Sequence, residues 1–178
     1  MQLSEQDKQT LRELARQSIA AALQGQPRPA LKDLSPVLLE LRGAFVTLHL
    51  RGCLRGCIGF IEAVKPLAET IQEMAVAAAF GDPRFPPLTD EEFRDIEIEI
   101  SVLSPLRRIK SIDEIQVGVH GLYLRQGARR GLLLPQVATE YNWDRETFLQ
   151  QTCAKASLPP LAWKDPQTEI YLFSAEVF

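Results

Sequence analysis

From residue 4 to 24 apolar side chains recur at helical spacing. Leu11, Leu14, Ala15, Ile19, Ala22 and Leu23 fall on one stripe, which predicts an amphipathic helix. Ser4 with Asp7 three residues on predicts a capping box, with Asp in place of the usual Glu. Gly25 marks the stop, and Pro27, Pro29 and Pro36 predict a stiff, extended connection after it. The period changes at Ala44. Phe45, Val46, Thr47 and Leu48 predict a strand to Leu50, Arg51-Gly52-Cys53 a turn, and Leu54 to Ile61 a returning strand, together a hairpin. Gly56 and Gly59 weaken a plain strand, so a bulge or a close backbone approach is expected there.

Pro66 to Phe80 reads as a second helix with the stripe Leu67, Ile71, Met74, Ala75, Ala78 and Ala79. Its alanines predict tight packing on a sheet. Residues 81 to 88 form a proline-rich loop, and Thr89 with Glu92 predicts the capping box of a short helix. Ile96 to Leu103 alternates most cleanly. Ile96, Ile98, Ile100 and Val102 interleave with Glu97, Glu99 and Ser101, so one face is expected buried and the other polar. Gly121 to Leu124 and Leu132 to Leu134 predict a hairpin around Gln126-Gly127-Ala128. Asp144 is placed to cap a helix running to about Ala156, and Glu169 to Phe178 reads as one last strand. Most strand pairs are close enough for hairpins. The expected class is therefore α+β, a largely antiparallel sheet flanked by helices, rather than a doubly wound parallel sheet.

Composition narrows the function classes. The 178 residues suit one domain, in which an N-terminal helix and connection (1–40) precede a motif-bearing core (41–178). Hydrophobic content of 46% and charged content of 24% are those of an ordinary soluble protein. A net charge of −3 argues against a nucleic-acid binder with a broad basic face. No apolar run approaches the ~18 residues of a transmembrane helix. Met1 to Lys8 lacks the apolar core of a signal peptide. Three cysteines fit free thiols in a reducing compartment better than a disulfide framework. A cytoplasmic location without a membrane partner is expected.

The candidate chemistry sits in two strings, Leu54-Arg55-Gly56-Cys57-Ile58-Gly59 and Phe80-Gly81-Asp82-Pro83-Arg84-Phe85-Pro86-Pro87. Arg55 beside Cys57 would lower a thiol pKa if the strand is regular, since residues two apart share a face. Gly56 and Gly59 would let a ligand approach the backbone. The opposing reading is a buried cysteine acting as a small hydrophobe, with glycines chosen for packing. Asp82 and Arg84 either pair with each other or anchor an anionic ligand through Arg84. Phe85 before Pro86 is compatible with a cis peptide. The prolines restrict this loop, so residues 82 to 86 are expected to sit beside residues 55 to 59 and form one site.

Glu97 and Glu99 share a strand face, roughly 7 Å apart by strand rise. They are a candidate acid–base or cation-binding pair, against a solvated face. His120, at a strand start, is a candidate catalytic group, against a satisfied structural histidine. Cys153 is expected to be buried in a helix, and Arg125, Arg129 and Arg130 to decorate a hairpin tip. The Cys53-x-x-x-Cys57 spacing, with His49 or Cys153 as further ligands, is unlike short zinc knuckles, so no metal and no cofactor is expected.

These strings resemble the AMMECR family, the A component of the AmmeMemoRadiSam gene set. Further matching segments are Phe45-Val46-Thr47-Leu48, Glu97 to Ser104, His120-Gly121, Leu133 to Ala138, Trp143-Asp144, Phe148-Leu149 and Cys153 to Ala156. They cover most of the chain after residue 40, in order. Ser157 stands where the family usually has glycine. The residues themselves make Cys57 and His120 the catalytic candidates and Arg55, Gly56, Gly59, Asp82, Arg84, Glu97 and Glu99 the ligand-binding or cleft candidates; the resemblance implies two unequal lobes with a cleft between them. It also implies work beside a Memo-type protein and a radical-SAM enzyme, on a small molecule or peptide, and leaves the reaction open. The alternatives are a non-catalytic module docking a protein or nucleic acid through the same loops, and a stand-alone thiol enzyme using Cys57.

Overall fold

Helix α1, Glu5–Leu23, begins where the capping signal lies: Ser4 Oγ accepts the Asp7 N–H at 3.1 Å, and Asp7 Oδ2 accepts the Ser4 N–H at 2.9 Å. The computed structural model describes residues 2–178. The chain divides into two units, residues 1–102 with 176–178, and residues 103–175.

In the first unit a four-stranded antiparallel sheet has the order β2-β1-β3-β8. The strands are β1 (Ala44–Leu50), β2 (Cys53–Phe60), β3 (Ile96–Leu103) and β8 (Ala175–Val177). Ala44, Val46 and Leu48 of β1 are fully buried with Ile100 of β3. They join the apolar stripes of α1 and of α2 (Leu67–Phe80) in a single core. Pro66 serves as the N-cap of α2, and α3 (Asp90–Asp95) carries the expected Thr89–Glu92 capping box.

The second unit holds the sheet β4-β7-β5-β6: β4 (Arg107–Arg108), β5 (Gly121–Gln126), β6 (Arg129–Leu133) and β7 (Glu169–Phe173). Helix α5, Arg145–Lys155, is capped by Asp144 and buries Phe148, Leu149 and Cys153 against Leu122, Leu124, Ile170 and Leu172. A short helix α4, Pro135–Glu140, precedes it. Helix α5 closes on Ser157, which takes φ +57°. Leu158 N–H reaches the Cys153 carbonyl and Ser157 N–H the Ala154 carbonyl, the paired closure usually built on glycine.

Four expectations need correction. The last strand is two strands. At Ser174 the chain leaves the second sheet, its N–H donating to Ser104 Oγ and its carbonyl accepting the Ser104 N–H. Beyond it the chain pairs with β3, where Ile100 and Phe178 exchange backbone bonds at 2.8 and 3.1 Å. The outer half of β3 is buried on both faces, since Ser101 and Leu103 are as inaccessible as Val102. Cys53 lies in β2, and the turn is Arg51-Gly52, both at positive φ. No peptide bond among the described residues is cis, so Phe85–Pro86 is trans.

Candidate functional site

The site begins with a slip in register. Leu48 faces Gly56 across the hairpin, but His49 faces Leu54. Arg55 is the extra residue of a β-bulge, which re-aims a side chain that a regular strand would have placed beside Cys57. Arg55 is buried instead (6% exposed). Its guanidinium forks onto Glu92, Nε to Oε1 and Nη2 to Oε2, each 2.9 Å, and Nη2 also donates to the Pro86 carbonyl at 2.9 Å. Arg55 first, and the Thr89 N–H second, hold the Glu92 carboxyl down at about 2. The expected help of Arg55 to the Cys57 thiol therefore gives way to a structural pair.

Arg84 takes that place. Asp82 is buried (4% exposed). Its Oδ2 accepts the Cys57 N–H at 2.9 Å and Arg84 Nη2 at 2.7 Å, while Oδ1 accepts Arg84 Nε and the Arg84 N–H. The Arg84 guanidinium beside it, followed by these N–H donors, holds the Asp82 carboxyl well below the usual carboxylate range. Arg84 Nη2 also lies 3.4 Å from the Cys57 carbonyl. β2 is an edge strand, and one ion pair thus meets both outward backbone groups of Cys57. Phe85 lies under both cations, its ring centre 5.9 Å from Arg55 Cζ and 5.4 Å from Arg84 Cζ. The two sequence strings are joined, as their rigidity implied.

The glycines are filled by protein. A Cβ on Gly56 would lie 2.1 Å from the Ala78 carbonyl oxygen of α2, and one on Gly59 would lie 2.3 Å from the Phe45 ring. The room expected for a ligand beside them is taken by packing.

Cys57 is half-buried. Its Sγ accepts a hydrogen bond from Thr47 Oγ1 at 3.2 Å. Cross-strand register puts Cys57, Thr47 and Glu99 in one row, with His49 and Glu97 in the next on the same face. Burial pushes the Cys153 thiol in the second unit up. In the sequence Thr47 reads as an ordinary β-former, and His49 is weighed only as a metal ligand with Cys53 and Cys57. Their signal is alternation. Both occupy the polar phase of β1, which the β1–β3 register aligns with Glu97 and Glu99.

His120 lies in the second unit, its Nδ1 accepting the Gln116 N–H at 3.1 Å. It lines a pocket of ≈ 270 Å³ with Ser104, Arg107, Phe173 and Ser174. Among the described residues no three His, Cys, Asp or Glu side chains are grouped to hold a metal ion, and no helix is long and apolar enough to cross a membrane.

Residues 12–178 match the family model AMMECR1. A protein of Methanothermobacter thermautotrophicus is 48% identical over 183 residues, covering 99% of this chain and 95% of that one. Protein PF1979 of Pyrococcus furiosus is 45% identical over 176 residues, covering 93% and 84%. The crystal structure of uncharacterized protein PH0010 from Pyrococcus horikoshii superposes with a TM-score of 0.91 at 41% identity, over 98% of this chain and 92% of that one.

Proposed function

The chain belongs to the AMMECR1 family, and from its geometry we propose that it is a cytoplasmic accessory or enzyme-like protein whose working group is the Cys57 thiol. One observation carries the reading: the buried Asp82 and its partner Arg84 bind the N–H and C=O of Cys57, so one loop clasps the edge strand at a half-accessible thiol. The Thr47 hydroxyl donates to Cys57 Sγ at 3.2 Å, and Arg84 Nη2 lies 3.4 Å from the Cys57 carbonyl. Glu99 and His49, on the same sheet face by register, are the candidates for moving the thiol's proton. The proposed partners are a Memo-type protein and a radical-SAM enzyme, with a small molecule or peptide as the shared substrate.

Alkylation tests the thiol. In a Cys53→Ser background, iodoacetamide is expected to modify Cys57 at least tenfold faster than Cys153, read by peptide mass spectrometry. Faster labelling of Cys153 sinks the proposal. If Cys57→Ser abolishes function while co-purification with the Memo-type and radical-SAM proteins persists, the thiol is chemical. If Cys57→Ser keeps function and Arg84→Ala loses the partners, the same loops form a non-catalytic docking site.

A further inference from the structure

The sheet face that carries Cys57 also carries two carboxylates that no cation meets. Strand register sets three rows across it: Cys57, Thr47 and Glu99; Gly59, Phe45 and Ser101; and His49 with Glu97. The opposite face, with Ala44, Val46 and Leu48, joins the apolar core with α1 and α2. Exposure falls along β3, from the exposed Glu97 through the half-buried Glu99 to Ser101 at 2%. Among the described residues Glu97 and Glu99 make no ion pair and no side-chain hydrogen bond. Arg84, which reaches the Cys57 carbonyl, is matched by Asp82 and brings no spare positive charge to the face.

Ser101 supplies the independent observation. Its side chain leaves β3 on the same side as Glu99, because strand residues two apart share a face. It is more than nine-tenths buried, yet its hydroxyl makes no hydrogen bond among the described residues. Nor is that hydroxyl sealed away, as the unmatched Thr70 hydroxyl of α2 is; it keeps contact with solvent. A serine hydroxyl offers two lone pairs, and leaving them unmet in a covered place is costly. Next to Glu99 on this face there is thus an acceptor without a donor. Beside it stands a half-buried carboxylate without a counter-ion, so the missing donor is called on to be a cation. Phe45, opposite Ser101, brings an aromatic ring to the same face, and such rings attract cations.

We propose that the Cys57 site takes a substrate bearing a primary ammonium, which the Glu99 carboxylate and the Ser101 hydroxyl hold beside the Phe45 ring. This substrate class rests on Cys57 being the working group. An ammonium has three donors, enough to meet Glu99 and Ser101 together. Glu99 and Cys57 stand two strands apart, about 10 Å between backbones. The reacting group of the substrate therefore lies only a few bonds from its charge.

The thiol is itself the reporter. In the full chain with Cys53→Ser, modification of Cys57 is timed by peptide mass spectrometry with three methanethiosulfonates: the neutral methyl, the cationic aminoethyl and the anionic sulfonatoethyl reagent. Each rate is divided by that reagent's rate with 2-mercaptoethanol. The cationic reagent is expected to exceed the anionic one at least tenfold. Glu99→Gln is expected to cut that preference at least threefold, and Ser101→Ala at least twofold. A ratio of reagents cancels any effect of either change on the thiol itself. Propylammonium chloride is expected to protect Cys57 from the neutral reagent saturably, and sodium propionate is not. If the neutral reagent modifies Cys57 no faster than Cys153, the thiol reading fails and the substrate class falls with it. If Cys57 reacts readily but shows no preference for the cation, the substrate class alone is overturned. It is overturned equally if either variant leaves the preference intact, or if propionate protects as well as propylammonium.

Discussion

A carboxylate that leaves water needs its lone pairs met, and Asp82 has every contact it needs from two residues. Asp82→Ala strips an acceptor from both the Cys57 N–H and the Arg84 fork, and should lower stability by about 2–3 kcal/mol in urea melts. Arg84→Ala should cost less, about 1–2 kcal/mol. The arginine side chain is 55% exposed, and Asp82 keeps the two backbone N–H bonds. A loss in Arg84→Ala as large as in Asp82→Ala would make the arginine scaffold rather than site. Glu92 has a pH signature. Its carboxyl sits at about 2 in the folded chain against 4.5 ordinarily. The Arg55–Glu92 pair therefore stabilises fully above pH ~4.5, and that stability is lost as pH falls toward 2. Glu92→Gln should lower stability at pH 7 by about 2 kcal/mol, discounted for the solvent that reaches Glu92, and flatten the acid limb of a stability–pH curve between those values. An unchanged acid limb would show that other carboxylates govern it.

Close contact sets the energetics of the elements. Gly56 lets β2 press on α2, and a methyl group there meets the Ala78 carbonyl oxygen, which is backbone and cannot rotate away. Gly56→Ala should cost about 2–3 kcal/mol by overpacking. At the end of α5 the opposite change is favourable. Ser157 holds a left-handed conformation that suits glycine, so Ser157→Gly should raise stability by about 0.5–1 kcal/mol in thermal or urea melts, with no change in fold. Such positions show why some elements were legible and others were not. The helix α1, the β1–β2 hairpin and β3 carry their period and caps within a few residues. The bulge was signalled by Gly56. The last strand was misread because apolar alternation runs on past Ser174, and only the Ser104–Ser174 bonds reveal the change of sheet. β4, two residues long, and α4 are too short to show a period. The role of Arg55 was hidden for a related reason: Glu92 is 37 residues away, and the cross-strand row of Cys57, Thr47 and Glu99 exists only once register is set.

The chain leaves the first unit at Val102 and re-enters it at Glu176, so that unit's sheet is closed by residues from the far end of the described chain. Lys8 pairs with Glu176, and the Phe178 ring lies 5.1 Å from Arg12 Cζ. Phe178→Ala should therefore speed hydrogen exchange in α1 and β3 while leaving α5 and β5 protected, a split that uniform loss of protection would contradict. Charge divides in the same way. The second unit has nine Lys and Arg against seven Asp and Glu, so the chain's negative balance belongs to the unit that carries Cys57. At Cys57 the clasp of Asp82 and Arg84 also governs recognition. A polypeptide that docks by strand addition needs unclaimed main-chain donors and acceptors along an edge. At this register both are claimed, so backbone templating stops beside the thiol. Any peptide that reaches it must be chosen by its side chains.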